Sequence, residues 1–210
     1  MLELRSLATG ALTRVVSLPG VGSVAGFSGR RTDSEFFLKF VSFVDPGSTF
    51  RGDLTAPPDA PLALIRRPTV DGFDPDAFET SQEFVTSKDG TRVPMFLLHR
   101  KGLPRDGSSP ALLYGYGGFN ISLTPSFSIS RVMFAAAYDG VVAVANIRGG
   151  GEYGTEWRDA GSVLNKQNVF DDFQACAEHL VEKGYAKKGA IAIEGGSNGG
   201  LLVAACCNQR

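Results

Sequence analysis

The chain has 210 residues and a formal net charge of -1 with 20% charged residues, so it offers no electrostatic case for binding nucleic acid or an anionic membrane. Hydrophobic content of 43% is ordinary for a globular protein. No apolar run is long enough to span a bilayer, and Met1-Leu2-Glu3-Leu4-Arg5 lacks the basic-then-apolar order of a signal peptide.

Residues 1 to about 56 read as β-structure. Met1 to Leu7 alternates and turns at Ala8-Thr9-Gly10; Thr13 to Leu18 forms a second strand closed by Pro19-Gly20; Gly22 to Ser28 gives a third. Glu35 to Val44 is a fourth and the most apolar, ended by Pro46-Gly47, and Thr49 to Leu54 begins a fifth. Short strands at this spacing suggest a sandwich or a propeller blade, here about one and a half four-stranded blades. From Ala56 to Asp76 five prolines, among them Pro57-Pro58, predict a linker or extended crossover, with a domain boundary near residue 70.

Beyond it strand and helix alternate. Gln82 to Thr86 and Val93 to His99 make a hairpin around Asp89-Gly90. Ala111 to Tyr114 is a short buried strand that runs into Gly115-Tyr116-Gly117-Gly118-Phe119-Asn120, and Ser130 to Tyr138 reads as a helix. Val141 to Asn146 is an apolar strand of the kind found in a parallel sheet covered on both faces. Arg148 to Gln167 reads as a long surface loop. Asn168 is expected to cap the next helix, with Asp171 as the capping acid, and Phe173, Ala177, Leu180 and Val181 share its apolar face. A hairpin followed by strand–helix–strand repeats is an α/β fold with an antiparallel edge.

The last stretch carries the clearest chemistry. An apolar strand, Ala190 to Ile193, meets Glu194-Gly195-Gly196-Ser197-Asn198-Gly199, and an apolar helix follows. This is G-x-S-x-G in the strand–turn–helix context of a nucleophile elbow. Side chains two residues either side of the serine would collide, hence Gly195 and Gly199. The turn lifts the Ser197 hydroxyl above the sheet, where the helix N-terminus and the Asn198 N–H face a developing oxyanion. A second donor is expected from the loop after an earlier central strand; here that is Gly115 to Phe119, in which Tyr116 offers a phenolic hydroxyl. Phe119 lines a pocket or simply packs. A serine nucleophile needs a base, in this fold an Asp or Glu and then a His later in the chain. The chain's two histidines, His99 and His179, precede Ser197, so the residues show a nucleophile without its base. They also place the elbow strand at an exposed parallel edge, where it normally sits mid-sheet.

Gly149-Gly150-Gly151-Glu152-Tyr153-Gly154 also satisfies G-x-G-x-x-G, with Asp171 and Asp172 about 20 residues on, so a dinucleotide site is a formal alternative. Its context fails: polar residues and Gly161 follow where an apolar helix should open, and the acids begin a helix instead of ending a strand. No Cys or His spacing suggests a metal, and no cofactor is expected. Cys176, Cys206 and Cys207 fit reduced, buried thiols in a cytoplasmic protein better than a disulfide framework.

Four stretches together, Leu113 to Phe119, Ala145 to Gly154, Asn165-Lys166-Gln167-Asn168 and Gly195 to Gly200, closely resemble the prolyl oligopeptidase family. The resemblance covers nearly all of residues 71–210 and, more weakly, residues 1–55. It implies the end of a β-propeller plus a Pro-rich linker over 1–70 and the N-terminal part of an α/β-hydrolase peptidase domain over 71–210. It implies cleavage of short peptides after proline, with Ser197 as nucleophile, the Asn198 N–H and Tyr116 hydroxyl as oxyanion hole and Phe119 in the substrate pocket. The triad Asp and His and the earlier blades would then belong to a remainder of the enzyme outside these residues. The chain alone is expected to be inactive, either an internal fragment or a non-catalytic binding product of the same fold.

Overall fold

The structure, a computed structural model, describes residues 2–57 and 59–210; the expected start of the first strand at Met1 and the Pro58 of the linker lie outside them. The chain divides into two compact units, residues 1–75 with 124–128 and residues 76–123 with 129–210.

The first unit is antiparallel β. Strands β1 (Leu2–Arg5) and β2 (Leu12–Val16) pair as a hairpin. Strands β3 (Ser23–Gly29), β4 (Glu35–Val41), β5 (Ser48–Asp53) and β6 (Ala63–Arg66) form a sheet in that order. The alternation of β4 explains its place: Phe36, Leu38 and Phe40 point into a core with Val16 and Phe50, while Glu35, Phe37 and Lys39 face out. The expected strands fall where the pattern put them, with one addition. The proline-rich stretch contains β6, which pairs with β5; it fits between Pro61 and Pro68 because neither proline falls inside it and every residue of it keeps its N–H. The four-stranded sheet and the separate hairpin match the blade and a half read from the spacing.

The second unit is a five-stranded mixed sheet in the order β11–β9–β10–β8–β7. Strands β7 (Phe78–Thr86) and β8 (Arg92–Arg100) form the antiparallel hairpin, and β8 also pairs antiparallel with β10 (Val141–Ala145). β10, β9 (Ala111–Tyr114) and β11 (Ile191–Glu194) are parallel. β10 is buried along its whole length, as its unbroken apolar run requires. Helices α1 (Ile129–Ala137), α2 (Thr155–Asp159), α3 (Gln167–Glu182) and α4 (Asn198–Gln209) cover it. Val169, Phe173, Cys176 and Leu180 of α3 repeat every three or four residues and join Leu113, Ala143 and Leu202 in the core. β11 is the edge strand, with Ala192 and Glu194 exposed. Among the described residues no helix is long and apolar enough to cross a membrane.

Two expectations are corrected here. The stretch 148–167 is not a plain surface loop: Arg148 to Gly150 are buried, and α2 and a 3₁₀ turn at Val163–Asn165 follow. Nor does Asn168 cap α3. Lys166 holds the cap position with no side-chain capping bond, while Asn168 sits in the first turn and donates to Ala160 O at 2.9 Å. Asp171 instead accepts from Gln167 Nε2.

Candidate active site

Ser197 stands between β11 and α4, exposed, at φ 54° and ψ -114°. A serine is driven into this region only when its surroundings over-determine it, and here they are specific. A Cβ on Gly195 would strike the carbonyl of Gly199, and one on Gly199 would come within 2.7 Å of Gly115 O. The glycines therefore let the first turn of α4 press against both its own approach strand and the end of β9. Gly199 N–H and Gly200 N–H bond back to Gly196 O and Ser197 O, each at 2.8 Å. No backbone carbonyl among the described residues takes the Asn198 N–H, which leaves it available beside the serine.

The parallel pairing of β11 with β9 sets Glu194 opposite Tyr114, so the loop after β9 runs beside the elbow. The Asn198 side chain joins them: its Nδ2 donates to Tyr116 O at 2.6 Å. Gly118 packs on the same amide, since a Cβ there would lie 2.5 Å from Asn198 Nδ2. Tyr116 is half-buried. Phe119, at φ 54° and 76% exposed, projects from the loop and does not pack into the core. It lines a cavity of about 470 Å³ with Asn120, Val163, Lys166 and Asn198. Thus Ser197, Asn198, Tyr116 and Phe119 belong to one end of the sheet.

Neither histidine joins them. His99 is buried on β8 with Nδ1 2.8 Å from Arg100 O, and His179 on α3 bonds Glu83 Oε2 at 2.6 Å. The glycine run after β10 supports the loop: Gly149 N–H bonds Trp157 O, Gly150 N–H bonds Ile147 O and Gly154 N–H bonds Gly151 O. A Cβ on Gly149 would lie 2.6 Å from Gly117 O, so this run is the floor under residues 117 and 118. Those three amides are engaged inside the loop, and the helix that follows has five residues, unlike the helix that a pyrophosphate site opens. Among the described residues no three His, Cys, Asp or Glu side chains converge as metal ligands.

Two supports escaped the sequence reading. Arg148, 4% exposed, donates to Asp172 through its backbone N–H and Nε at 3.0 Å each and through Nη2 at 2.6 Å, and to Asp89 through Nη1 at 2.6 Å. Burial works against its charge, yet the two carboxylates raise its pKa above the ordinary arginine value. In return, the hydrogen bond from Arg148 holds the Asp89 carboxyl down at about 2. Lys166 is the other: its Nζ donates to Gly117 O at 2.7 Å and lies 3.5 Å from Asn198 Oδ1. Both residues lie in the stretches that carry the family resemblance, but nothing in their spacing told what they would touch. The thiols divide: Cys176 and Cys206 are buried, and burial pushes Cys206 up to about 11, whereas Cys207 is exposed, against the expectation that all three are inside.

The chain is similar to known proteins of one family. Residues 125–210 match the model of the prolyl oligopeptidase family, and residues 1–63 match that of the prolyl oligopeptidase N-terminal β-propeller domain. The chain is 43% identical over 201 residues to a prolyl endopeptidase of Elizabethkingia meningoseptica, covering 96% of this chain and 28% of that protein. It is 42% identical over 203 residues to a prolyl endopeptidase of Dictyostelium discoideum, covering 96% of this chain and 26% of that one. Among solved structures, prolyl oligopeptidase B from Galerina marginata, bound to a 35mer hydrolysis and macrocyclization substrate, superposes with a TM-score of 0.88 at 42% identity. That match covers 97% of this chain and 28% of that one. The chain thus spans little more than a quarter of the length of the relatives it matches. With residues 1–63 and 125–210 both matching models of one family, the chain belongs to the prolyl oligopeptidase family.

Proposed function

We propose that this chain carries the nucleophile and oxyanion hole of a serine peptidase that hydrolyses short peptides on the carboxyl side of proline. The strained, exposed Ser197 at the head of α4 is the observation that carries the reading. Its hydroxyl gives its proton to a base supplied from outside these residues and attacks the carbonyl carbon; the carbonyl π pair moves onto oxygen, where the negative charge is met by the Asn198 N–H and the Tyr116 hydroxyl. Such donors lower the barrier because they are fixed before the charge appears. Phe119, exposed on the cavity rim, offers the substrate an apolar face. Proline specificity rests on the relatives' names and not on a residue of this chain. We assign residues 1–70 to the end of the propeller and its linker and 71–210 to the first part of the peptidase domain. Three free thiols favour the cytoplasm.

The test uses a fluorophosphonate probe and a fluorogenic prolyl amide. The full-length gene product carrying these residues should label at Ser197 and cleave after proline, and Ser197→Ala should abolish both. Tyr116→Phe should lower kcat by roughly 10- to 1000-fold. Residues 1–210 alone, with both histidines committed elsewhere, should not label. Labelling at another serine of the full-length product overturns the assignment.

A further inference from the structure

Lys166 is a poor choice for the place it occupies. It stands at the N-terminus of the 16-residue α3, in helical backbone (φ -59°, ψ -29°) that runs on from the 3₁₀ turn Val163–Asn165, where the α3 dipole disfavours a cation. It makes no capping bond. No carboxylate among the described residues lies within ion-pair distance of it, and burial alone pulls its pKa below the ordinary lysine value. Helix stability therefore does not account for this residue. Its contacts are with Gly117 O at 2.7 Å and Asn198 Oδ1 at 3.5 Å, one on the loop after β9 and one on the first turn of α4. Those are the two segments that supply the oxyanion donors.

We propose that Lys166 is a positioning residue that locks the loop 115–120 onto the elbow and so holds the Asn198 N–H and the Tyr116 ring in register for the transition state. This deepens the peptidase reading given above and rests on it. The lock works through two bonds. An ammonium has donors only, so it turns Asn198 Oδ1 toward itself. The amide is then oriented with Nδ2 toward Tyr116 O, where it donates at 2.6 Å, fixing the residue that bears the phenol. The bond to Gly117 O fixes the next peptide plane against the floor at Gly149. Displacing a loop by about 1 Å is enough to cost on the order of 100-fold in rate without weakening substrate binding.

The experiment compares wild type, Lys166→Met and Lys166→Cys in the full-length gene product. Lys166→Met should lower kcat by about 10- to 100-fold with KM changed less than about twofold. Lys166→Cys should be equally slow and should recover when 2-bromoethylamine rebuilds an ammonium at the same reach; wild type treated alike controls for the exposed Cys207. Amide hydrogen exchange should quicken in 115–120 and 197–200 in the Met variant and not in the β7–β8 hairpin. An unchanged kcat, a loss carried by KM, no recovery on aminoethylation or unchanged exchange each overturns the proposal, while labelling of Ser197 leaves the peptidase reading intact. If wild type itself neither labels nor cleaves, that reading has failed, and the exchange of 115–120 in Lys166→Met decides by itself whether the lysine locks the loop.

Discussion

The two edges of the five-stranded sheet are built on opposite terms. At the β7 edge, charges are matched: Glu83 accepts from Tyr185 OH and pairs with His179, each at 2.6 Å, and the Arg148–Asp172–Asp89 group ties the β7–β8 turn to α3 and to the end of β10. Burial works to raise the Glu83 pKa, but bonds from His179 and Tyr185 outweigh it and hold the carboxyl below its ordinary value. At the β11 edge, Ser197 and Phe119 carry positive φ, Phe119 is exposed, and a lysine points at a carbonyl. Strain of this kind persists only where a rigid frame bears it. One edge supplies the frame and the other holds the groups assigned above, as a proposal, to the reaction.

Breaking the frame should have the largest effect. Asp172 is fully buried, at 0% exposure, so Asp172→Ala strands the Arg148 guanidinium and should cost about 3–5 kcal/mol, read as a lower urea midpoint. If the loss is below about 1 kcal/mol, the β7 edge is not the anchor. At the other edge, Gly195→Ala drives a methyl group into the Gly199 carbonyl and should cost about 1–3 kcal/mol, with probe labelling lost even where the protein still folds. Ser197→Gly reverses the sign. It removes the proposed nucleophile but relieves the strained backbone, and should raise stability by about 1 kcal/mol; a destabilised variant would contradict strain at the elbow.

The smallest effect concerns acid. The Asp89 carboxyl is held from its ordinary 3.8 down to about 2 in the folded chain. A depressed carboxylate contributes stability that is complete above its unfolded pKa and disappears as pH falls through the folded one. The stability gap between wild type and Asp89→Asn should therefore be constant above about pH 4 and close on the way to pH 2. Asp89 is half-exposed, so solvent screens the pair and the gap is small.

Much of this was legible in the residues because it is local. Apolar content gave β4, an unbroken apolar run gave β10, and glycines on both sides of a serine gave the elbow, each being a rule about neighbours in sequence. β6 escaped because prolines mark an edge strand and a linker alike, and only its pairing with β5 separates them. The buried stretch after β10 escaped because its glycines read as loop until the residues 117–121 are laid over them. Asn168 looked like a cap by residue type, yet the 3₁₀ turn at Val163–Asn165 runs into α3 two residues earlier and leaves Lys166 at the junction.

The sequence by itself determined where the chain turns, which faces are apolar and which hydroxyl stands on a kink. Only the tertiary structure decided what each charge is for. Arg148 and Asp172 are 24 residues apart and Lys166 and Gly117 are 49 apart, and no periodicity reaches across such distances. The parallel pairing of β9 with β10 and β11 brings those partners together, because it delivers the ends of all three strands to one side of the sheet.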